Sequence, residues 1–566
     1  MFFIWYMEKL KSLLNKYFWI LPVLLVIPTG LALLKVGFFG ASDDLHIAWL
    51  YEMEQAIRAG QFPPRFVPDL SFGFGYPLFN FVFPLPFYLG EILRIFHLSL
   101  VGSIKGVFFL GLIFSSLTMY LFLKNFLGKF MALAGSLVYA YAPYRSTEVY
   151  VRGAIGEALS FVFFPLISLA IVKIYDASVQ GKRSWRWIGI GALSVVGLVI
   201  SHDIAAYMFV PFACLLAVLF FAVVKDKLKY ALSSISMFVL GLLGSIYFWL
   251  PALKDSSLMK YDTVYDFVNY FPTLKRLFTP YFGYGGFPTM SFFIGLVPIA
   301  VILFGGIFFL VKFKKFELKY KILLSWAAII LAVSMFMMNY RSIWAWNIIP
   351  FLPYFQFPWR FLMMVVFVAP IFLVGFSKLK KNIWIPVLIS VFAIATTVSY
   401  FRPQDFFQER QDAYYLNRYI PYPKASEEYL KTSEEYLRLG INTKTRPEKV
   451  PSPVEFNGGV VGSFASTGHG LSVSVSVSSL NGGLLTYNKY YFPGWRATLD
   501  GNSVPINYGL SYGQIAINVP PGNHVLKIVF SETPFRIFLD ITSLVFIIFS
   551  LMLILGNGKI LFKNKK

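Results

Sequence analysis

The sequence predicts a polytopic α-helical membrane protein with one β-rich extracytoplasmic domain near its C-terminus. Three observations predict it. Apolar runs long enough to cross a bilayer recur along most of the 566 residues, only 14% of residues are charged, and the basic residues fall on alternate sides when each run is counted as a crossing. Soluble domains carry about 25% charged residues, and a crossing helix needs roughly 20 apolar ones. Here 57% of residues are hydrophobic and the mean hydropathy is +0.64.

The runs fall near 17–37, 105–123, 130–143, 156–174, 187–201, 207–224, 231–252, 291–311, 322–338, 361–377, 383–400 and 536–556, which makes about 12 transmembrane helices. The first is long, and Lys9, Lys11 and Lys16 flank it, so it reads as a permanent helix rather than a signal peptide. Alternation places those lysines on one side with Lys124, Lys129, Lys173, Lys182, Arg183, Arg186, Lys225, Lys312, Lys378, Lys380, Lys381 and the tail lysines 559–566. Short cytoplasmic loops collect Lys and Arg, so that side is the cytoplasm and both termini lie there. The net charge of +22 has the same source and does not call for nucleic acid. Cys214 stands alone inside an apolar run, which rules out a disulfide framework. Five histidines without metal-ligand spacing argue against structural zinc. No phosphate-cradling Gly-rich loop precedes a Lys-Ser/Thr pair, so ATP hydrolysis is not indicated.

The opposite side receives the longer segments 38–104, 144–155, 253–290, 339–360 and 401–535. The chain thus divides into a transmembrane domain over 1–400, an extracytoplasmic domain over 401–535, and a final helix with basic tail over 536–566. Residues 404–446 read as a charged, helix-compatible stretch with Glu427, Glu428, Glu434 and Glu435 on its surface. From about 455 the texture becomes strand. Leu471 to Val477 (LSVSVSV) alternates with period two. Further runs at 484–491, 495–499, 513–518 and 524–530 are separated by Asn481-Gly482-Gly483, Asp500-Gly501 and Pro520-Pro521-Gly522, where glycine tolerates positive φ. A small antiparallel β-sandwich follows.

The first exterior segment opens with Gly40-Ala41-Ser42-Asp43-Asp44-Leu45-His46. Ser42 or Asp43 can cap a helix. Leu45, Trp49, Met53 and Ile57 form a stripe suited to lying along the interface, and Gly60 with Pro63-Pro64 ends it. Asp43 and Asp44 therefore sit at a helix start above the first membrane run. There they either cap the helix, accept a proton from a substrate hydroxyl, or hold a divalent cation. His46, one turn on, is a structural or supporting residue. Arg145, Arg152 with Glu157, His202 and Arg360 cluster at other helix ends on the same side. Each arginine is either an interfacial anchor or a bidentate phosphate ligand, and several on one face favour an anionic ligand.

Taken together these segments resemble a known group. Asp43-Asp44-Leu45-His46, Phe62-Pro63-Pro64-Arg65 and Gly73 to Phe81 (GFGYPLFNF) look like the first exterior loop of a bacterial family named 6-pyruvoyl-tetrahydropterin synthase-related. Tyr150 to Ala154 (YVRGA) with Glu157, Trp249-Leu250-Pro251, Met290-Ser291-Phe292 and Gln356 to Leu362 (QFPWRFL) match as well, though no pterin-synthase zinc site is present. Tyr491 to Trp495 (YFPGW) and Pro520 to His524 (PPGNH) resemble the soluble domain of YfhO-type membrane proteins. The group looks like part of the GT-C glycosyltransferase superfamily. That resemblance implies a GT-C-like fold and transfer of a sugar from a polyprenyl-phosphate donor to a cell-envelope glycan, lipid or protein acceptor, with inversion. It implies that Asp43 or Asp44 is general base or metal ligand, with Arg360, Arg145 and Arg152 as donor-phosphate residues and a Mg or Mn ion left open. Two rival readings remain. A lipid or glycolipid flippase predicts internal repeats and charges at helix midpoints, which are not evident. A non-catalytic carbohydrate-binding protein needs far fewer helices.

Overall fold

The computed structural model describes residues 16–75, 77–258, 267–379, 382–420, 452–467, 469–510 and 513–556. The expected surface helix carrying Glu427, Glu428, Glu434 and Glu435 lies outside the described residues, as do Lys9, Lys11, Lys380, Lys381 and the tail lysines.

The helices used below are α1 (His46–Arg58), α2 (Leu85–Ile95), α3 (Leu100–Leu123), α4 (Lys129–Ala140), α5 (Ile155–Val179), α6 (Trp185–Ser201) and α7 (Asp203–Val223). They continue with α8 (Lys227–Gly244), α9 (Leu296–Val311), α10 (Leu318–Met337), α11 (Pro358–Lys378), α12 (Trp384–Tyr400), α13 (Asp412–Tyr419) and α14 (Pro534–Leu555). Among the described residues seven helices, α3, α5, α7, α8, α10, α11 and α14, are long and apolar enough to cross a membrane. The chain is a helical protein of multi-pass membrane type. α4, α6, α9 and α12 are apolar but shorter. The run at 17–37 differs from expectation: it forms separate turns, Phe18–Ile20, Leu21–Leu24 and Ile27–Leu34, because Pro22 and Pro28 bring no amide donor. The run at 231–252 also divides. α8 ends at Gly244, and Ile246–Asp255 resumes beyond Ser245 with Pro251 inside it.

α1 begins at His46, later than expected, and neither Ser42 nor Asp43 caps it. Their amides are already engaged: Ser42 N donates to Val151 O at 3.2 Å and Asp43 N to Arg152 O at 2.8 Å. A backbone ladder with the neighbouring loop wins over a local cap. The helix is also no lipid-lying ribbon. Beyond Trp49 and Met53 it buries Ile47, Ala48, Leu50 and Ala56 among α2, α3 and α13. It ends where expected, with Gly60 at φ +87°.

β1 (Phe38–Phe39) pairs antiparallel with β2 (Phe406–Phe407). The C-terminal region holds β3 (Val454–Asn457), β4 (Gly459–Thr467), β5 (Gly470–Val477), β6 (Gly483–Tyr490), β7 (Trp495–Leu499), β8 (Asn502–Val504), β9 (Gln514–Val519) and β10 (Gly522–Phe530). A five-stranded sheet runs β4-β5-β10-β7-β8 and a three-stranded one β3-β6-β9, all antiparallel. In β5 the valines and Leu471 are buried while Ser472 and Ser476 face out, as the alternation requires. Asp500 (φ +50°) and Gly501 (φ +85°) make the tight turn from β7 to β8.

Both sheets bury one apolar core, and the first exterior segment completes it. Phe66 and Phe81 join Leu471, Val473, Leu485, Ile515 and Ile528 there. The Phe66 ring lies 5.4 Å from Trp495 and 5.3 Å from Phe530. Burying one such ring stabilises by about 1.5–3 kcal/mol. Lys489 Nζ donates to Pro68 O (2.9 Å) and Gly73 O (2.6 Å), and Phe74 stacks on Tyr490. Arg65 reaches Asp540 of α14 at 2.8 Å. The sheets are therefore fastened to the first exterior segment and to α14 rather than hung from a linker.

Residues 405–420 pack onto the helical part. The β1–β2 ladder holds their start, and Gly37 (φ +91°) is needed there, since a Cβ would lie 2.1 Å from Phe407 O. Asp412 then caps α3, accepting from Leu100 N and Val101 N at 2.9 Å each.

Candidate functional site

The loops between crossings converge where the Asp43–Asp44 turn meets the starts of α5, α7 and α11. Glu157, in the first turn of α5, is the hub. It is 1% exposed and accepts from Arg152 Nη1 (2.7 Å), Arg152 Nη2 (2.8 Å) and Arg360 Nε (2.9 Å). Glu148 takes the other side of Arg152 at 2.8 and 2.9 Å. Two buried guanidiniums are thus neutralised by two buried carboxylates, the condition for keeping ion pairs away from water.

The QFPWR stretch owes its order to this hub. Arg360 Nη1 donates to Phe355 O (2.6 Å) and Gln356 Oε1 (3.1 Å). Phe357 and Trp359 stack at 4.8 Å. Arg152 lies 4.5 Å over the Trp359 ring and Arg360 4.9 Å over Phe357. Phe351 and Gln356 hold positive φ (+63° and +61°), strained for residues with a side chain. Arg360 Nη2 keeps both of its protons uncommitted among the described residues.

The two aspartates do different things. Among the described residues no group hydrogen-bonds the Asp43 carboxylate. Burial pushes it up to about 6, against the pull of Arg152 and Arg360, with Glu157 and Asp44 adding to the rise. Asp44 is buried and accepts a hydrogen bond from the Tyr419 hydroxyl at the end of α13. Burial raises it too, with Tyr419, Arg418 and Arg410 opposing. Gly153 (φ +71°) shapes the contact between the two loops: a Cβ would lie 3.0 Å from Ala41 Cβ and 3.4 Å from Asp43 O.

The two histidines of the site, His46 and His202, are both buried. Burial pushes His46 down to about 3; its ring contacts the Gly153 backbone, Trp49 and Phe87, and its Nδ1 has no partner among the described residues. His202 caps α7, its Nδ1 accepting from Ala205 N at 3.1 Å. That leaves Nε2 as the protonated nitrogen, 3.9 Å from Glu157 Oε1.

Asp43, Asp44, His46, Arg152, Glu157, His202 and Arg360 are therefore brought together, and Arg145 is not. Arg145 is fully buried against α3 and α5, donating to Ser115 Oγ (2.8 Å) and Ala158 O (3.3 Å), with Phe161 4.0 Å beneath it. The expectation that Arg145 assists a phosphate is corrected accordingly, since its guanidinium faces the helix interior. Glu148 and Tyr419 escaped the sequence reading. Glu148 carried a signal, four residues before Arg152; Tyr419 carried none.

A metal held by Asp43 and Asp44 finds little support in the donor set. Among the described residues no three His, Cys, Asp or Glu side chains converge on one point, and Asp44 is turned to Tyr419.

No family model matches the chain. An uncharacterized protein of Lactococcus lactis subsp. cremoris (strain MG1363) is 24% identical over 318 residues, 52% of this chain and 50% of the relative. The chain thus spans about half the length of that relative. Arabinofuranosyltransferase AftD from Mycobacteria superposes with TM-score 0.45 and 14% identity, over 70% of this chain and 27% of that one. Archaeal oligosaccharyltransferase AglB from Archaeoglobus fulgidus, solved with an inhibitory peptide and a dolichol-phosphate, gives TM-score 0.46 and 13% identity, over 78% and 62%. So loose a fit carries no function across.

Proposed function

We propose that the protein is a membrane glycosyltransferase that moves a sugar from a polyprenyl-phosphate donor to a hydroxyl of a cell-envelope acceptor, with inversion. The observation that supports this reading is the pairing of an unpartnered carboxylate, Asp43, with the uncommitted Nη2 of Arg360, both beside the Arg152–Glu157 pair. In this reading Asp43 takes the proton of the acceptor hydroxyl. The acceptor oxygen attacks the anomeric carbon, and the bond from that carbon to the phosphate oxygen breaks. Negative charge then builds on the departing phosphate, where Arg360 Nη2 receives it. Arg152, charge-paired with Glu148 and Glu157, contributes fixed charge and holds Glu157 in place. A phosphate is already a good leaving group, so no second carboxylic acid is needed to protonate it.

The reaction would take place on the exterior face, with both termini in the cytoplasm and about a dozen crossings. The test uses purified protein in lipid nanodiscs, radiolabelled polyprenyl-phosphate glucose as donor and a cell-envelope extract as acceptor. Asp43→Asn should lose transfer by about a hundred- to ten-thousandfold while inserting normally, the range typical of a positioned base. Full transfer by Asp43→Asn would remove the assignment. Parallel assays with a chelator and with added Mg or Mn read whether a cation takes part.

A further inference from the structure

We infer that Tyr419 and Asp44 form a latch that fastens residues 405–420 across the aspartate turn, and that Asp44 is a positioning residue rather than a reacting one. The inference rests on the glycosyltransferase reading for its catalytic consequence, but not for its structural part.

The turn carrying Asp43 is held from two sides. On one side Ser42 N and Asp43 N donate to Val151 O and Arg152 O, which fixes the backbone against the loop that carries the arginine. On the other side, among the described residues, a side chain reaches it: the Tyr419 hydroxyl donates to Asp44 Oδ1. Tyr419 does not stand alone. The segment behind it is bolted at two further points, the ladder of Phe406 and Phe407 with Phe39 and Phe38, and the Asp412 cap on α3. Tyr415, fully buried and edge-on to Phe38 at 5.8 Å, packs the strap down between Asp412 and Tyr419. A strap with its start and middle fixed to the helical core, and its end on Asp44, orients the turn as a whole. Asp43 is the next residue, so its carboxylate direction is set by the peptide that Asp44 anchors. The same latch accounts for the contrast between the two carboxylates. One accepts a hydrogen bond from the strap and the other is left for a ligand.

A change of charge and a change of hydrogen bonding can be separated here. Asn at 44 still offers an oxygen to the Tyr419 hydroxyl, whereas Ala does not. The latch therefore predicts that Asp44→Asn loses at least about ten times less turnover than Asp44→Ala. It also predicts that Tyr419→Phe, which removes one hydroxyl, matches Asp44→Ala. The double variant Asp44→Ala/Tyr419→Phe should be no worse than either single one, because both remove one interaction. The losses should fall on kcat with donor KM within about twofold, as expected for misdirection of the base rather than loss of donor binding.

Hydrogen exchange on the full-length protein in nanodiscs provides a readout independent of transfer. Amides of 41–45 and 412–420 should exchange about tenfold or more faster in Tyr419→Phe and Asp44→Ala than in the parent, and at near-parental rates in Asp44→Asn. Unchanged exchange in Tyr419→Phe overturns the latch. Asp44→Asn as inactive as Asp43→Asn, with exchange unchanged, overturns the positioning role and makes Asp44 a chemical group. Absence of transfer by the parent protein, with the exchange pattern as expected, leaves the latch standing and counts against the glycosyltransferase reading instead.

Discussion

Replacing Arg360 with lysine keeps its charge and removes its shape, so it isolates what the guanidinium contributes. Arg360 donates from Nε to Glu157, from Nη1 to Phe355 O and Gln356 Oε1, and keeps Nη2 for a ligand. A lysine ammonium ends about where Nε and Cζ lie, with three protons at one point. It can still pair with Glu157 but cannot reach the Phe355 carbonyl and present a second donor to phosphate at once. The loss comprises one or two hydrogen bonds to neutral acceptors, about 1 kcal/mol each, and one to the phosphate, about 1.5–3 kcal/mol. Some of this is recovered by water, so we expect about 2–4 kcal/mol of lost transition-state stabilisation, which is roughly 30- to 1,000-fold in kcat/KM. The assay is initial-rate transfer from radiolabelled polyprenyl-phosphate glucose by parent and Arg360→Lys protein matched for folded content. Since charge is retained, donor KM should rise less than kcat falls. A variant within threefold of the parent at every donor concentration would show that no ligand uses the Nη2 donor, and the phosphate role of Arg360 would be lost.

Three further outcomes follow from the structure. Asp43 is held up at about 6 by burial, so transfer should rise with pH through about 6 as the base ionises, and the acid limb should vanish in whatever residual rate Asp43→Asn retains. A carboxyl raised on folding favours the folded state below its unfolded value of 3.8 and loses that contribution as pH rises through about 6. Asp43→Asn should therefore unfold at higher temperature than the parent at pH 7.5 and show little difference near pH 4, read by intrinsic fluorescence. Phe66→Ala should destabilise the β region by about 3–5 kcal/mol, as expected for a buried aromatic, and proteolysis should cut within 452–530 faster; equal cutting rates would contradict a core shared between the two segments.

Most of the apolar runs, though not 17–37 or 231–252, and the period-two strands were legible because each is set by its own neighbours: a run of 20 apolar residues has few alternatives unless proline interrupts it, and LSVSVSV can bury only one face. Asp43, Asp44, Arg152, Glu157 and Arg360 were legible as types at helix ends, yet their meeting was not, since Glu157 and Arg360 lie 203 residues apart in the chain. Tyr419 is 375 residues from Asp44 and sits in a stretch whose composition is ordinary. The cap expected of Ser42 or Asp43 failed for a related reason: the carbonyls of Val151 and Arg152 compete for the same turn, and no local pattern announces them. Arg145 misled because position at a helix end says nothing about direction, and its guanidinium turned inward to Ser115 and the Phe161 ring.

The contribution of Phe66 and Phe81 to the sheet core also imposes an order on biosynthesis. His469, which contacts the Phe66 carbonyl at 3.1 Å, is translated 403 residues after it. For most of synthesis Phe66 and Phe81 therefore lack the strands that bury them. Only when those strands emerge can the two rings be covered, whereas the aspartate turn depends on Val151, Arg152 and Tyr419, which are made earlier. A chain truncated before the strands would thus leave two large aromatic rings uncovered while keeping the partners of the aspartate turn, so completion of the sheet core and assembly of that turn are separate events.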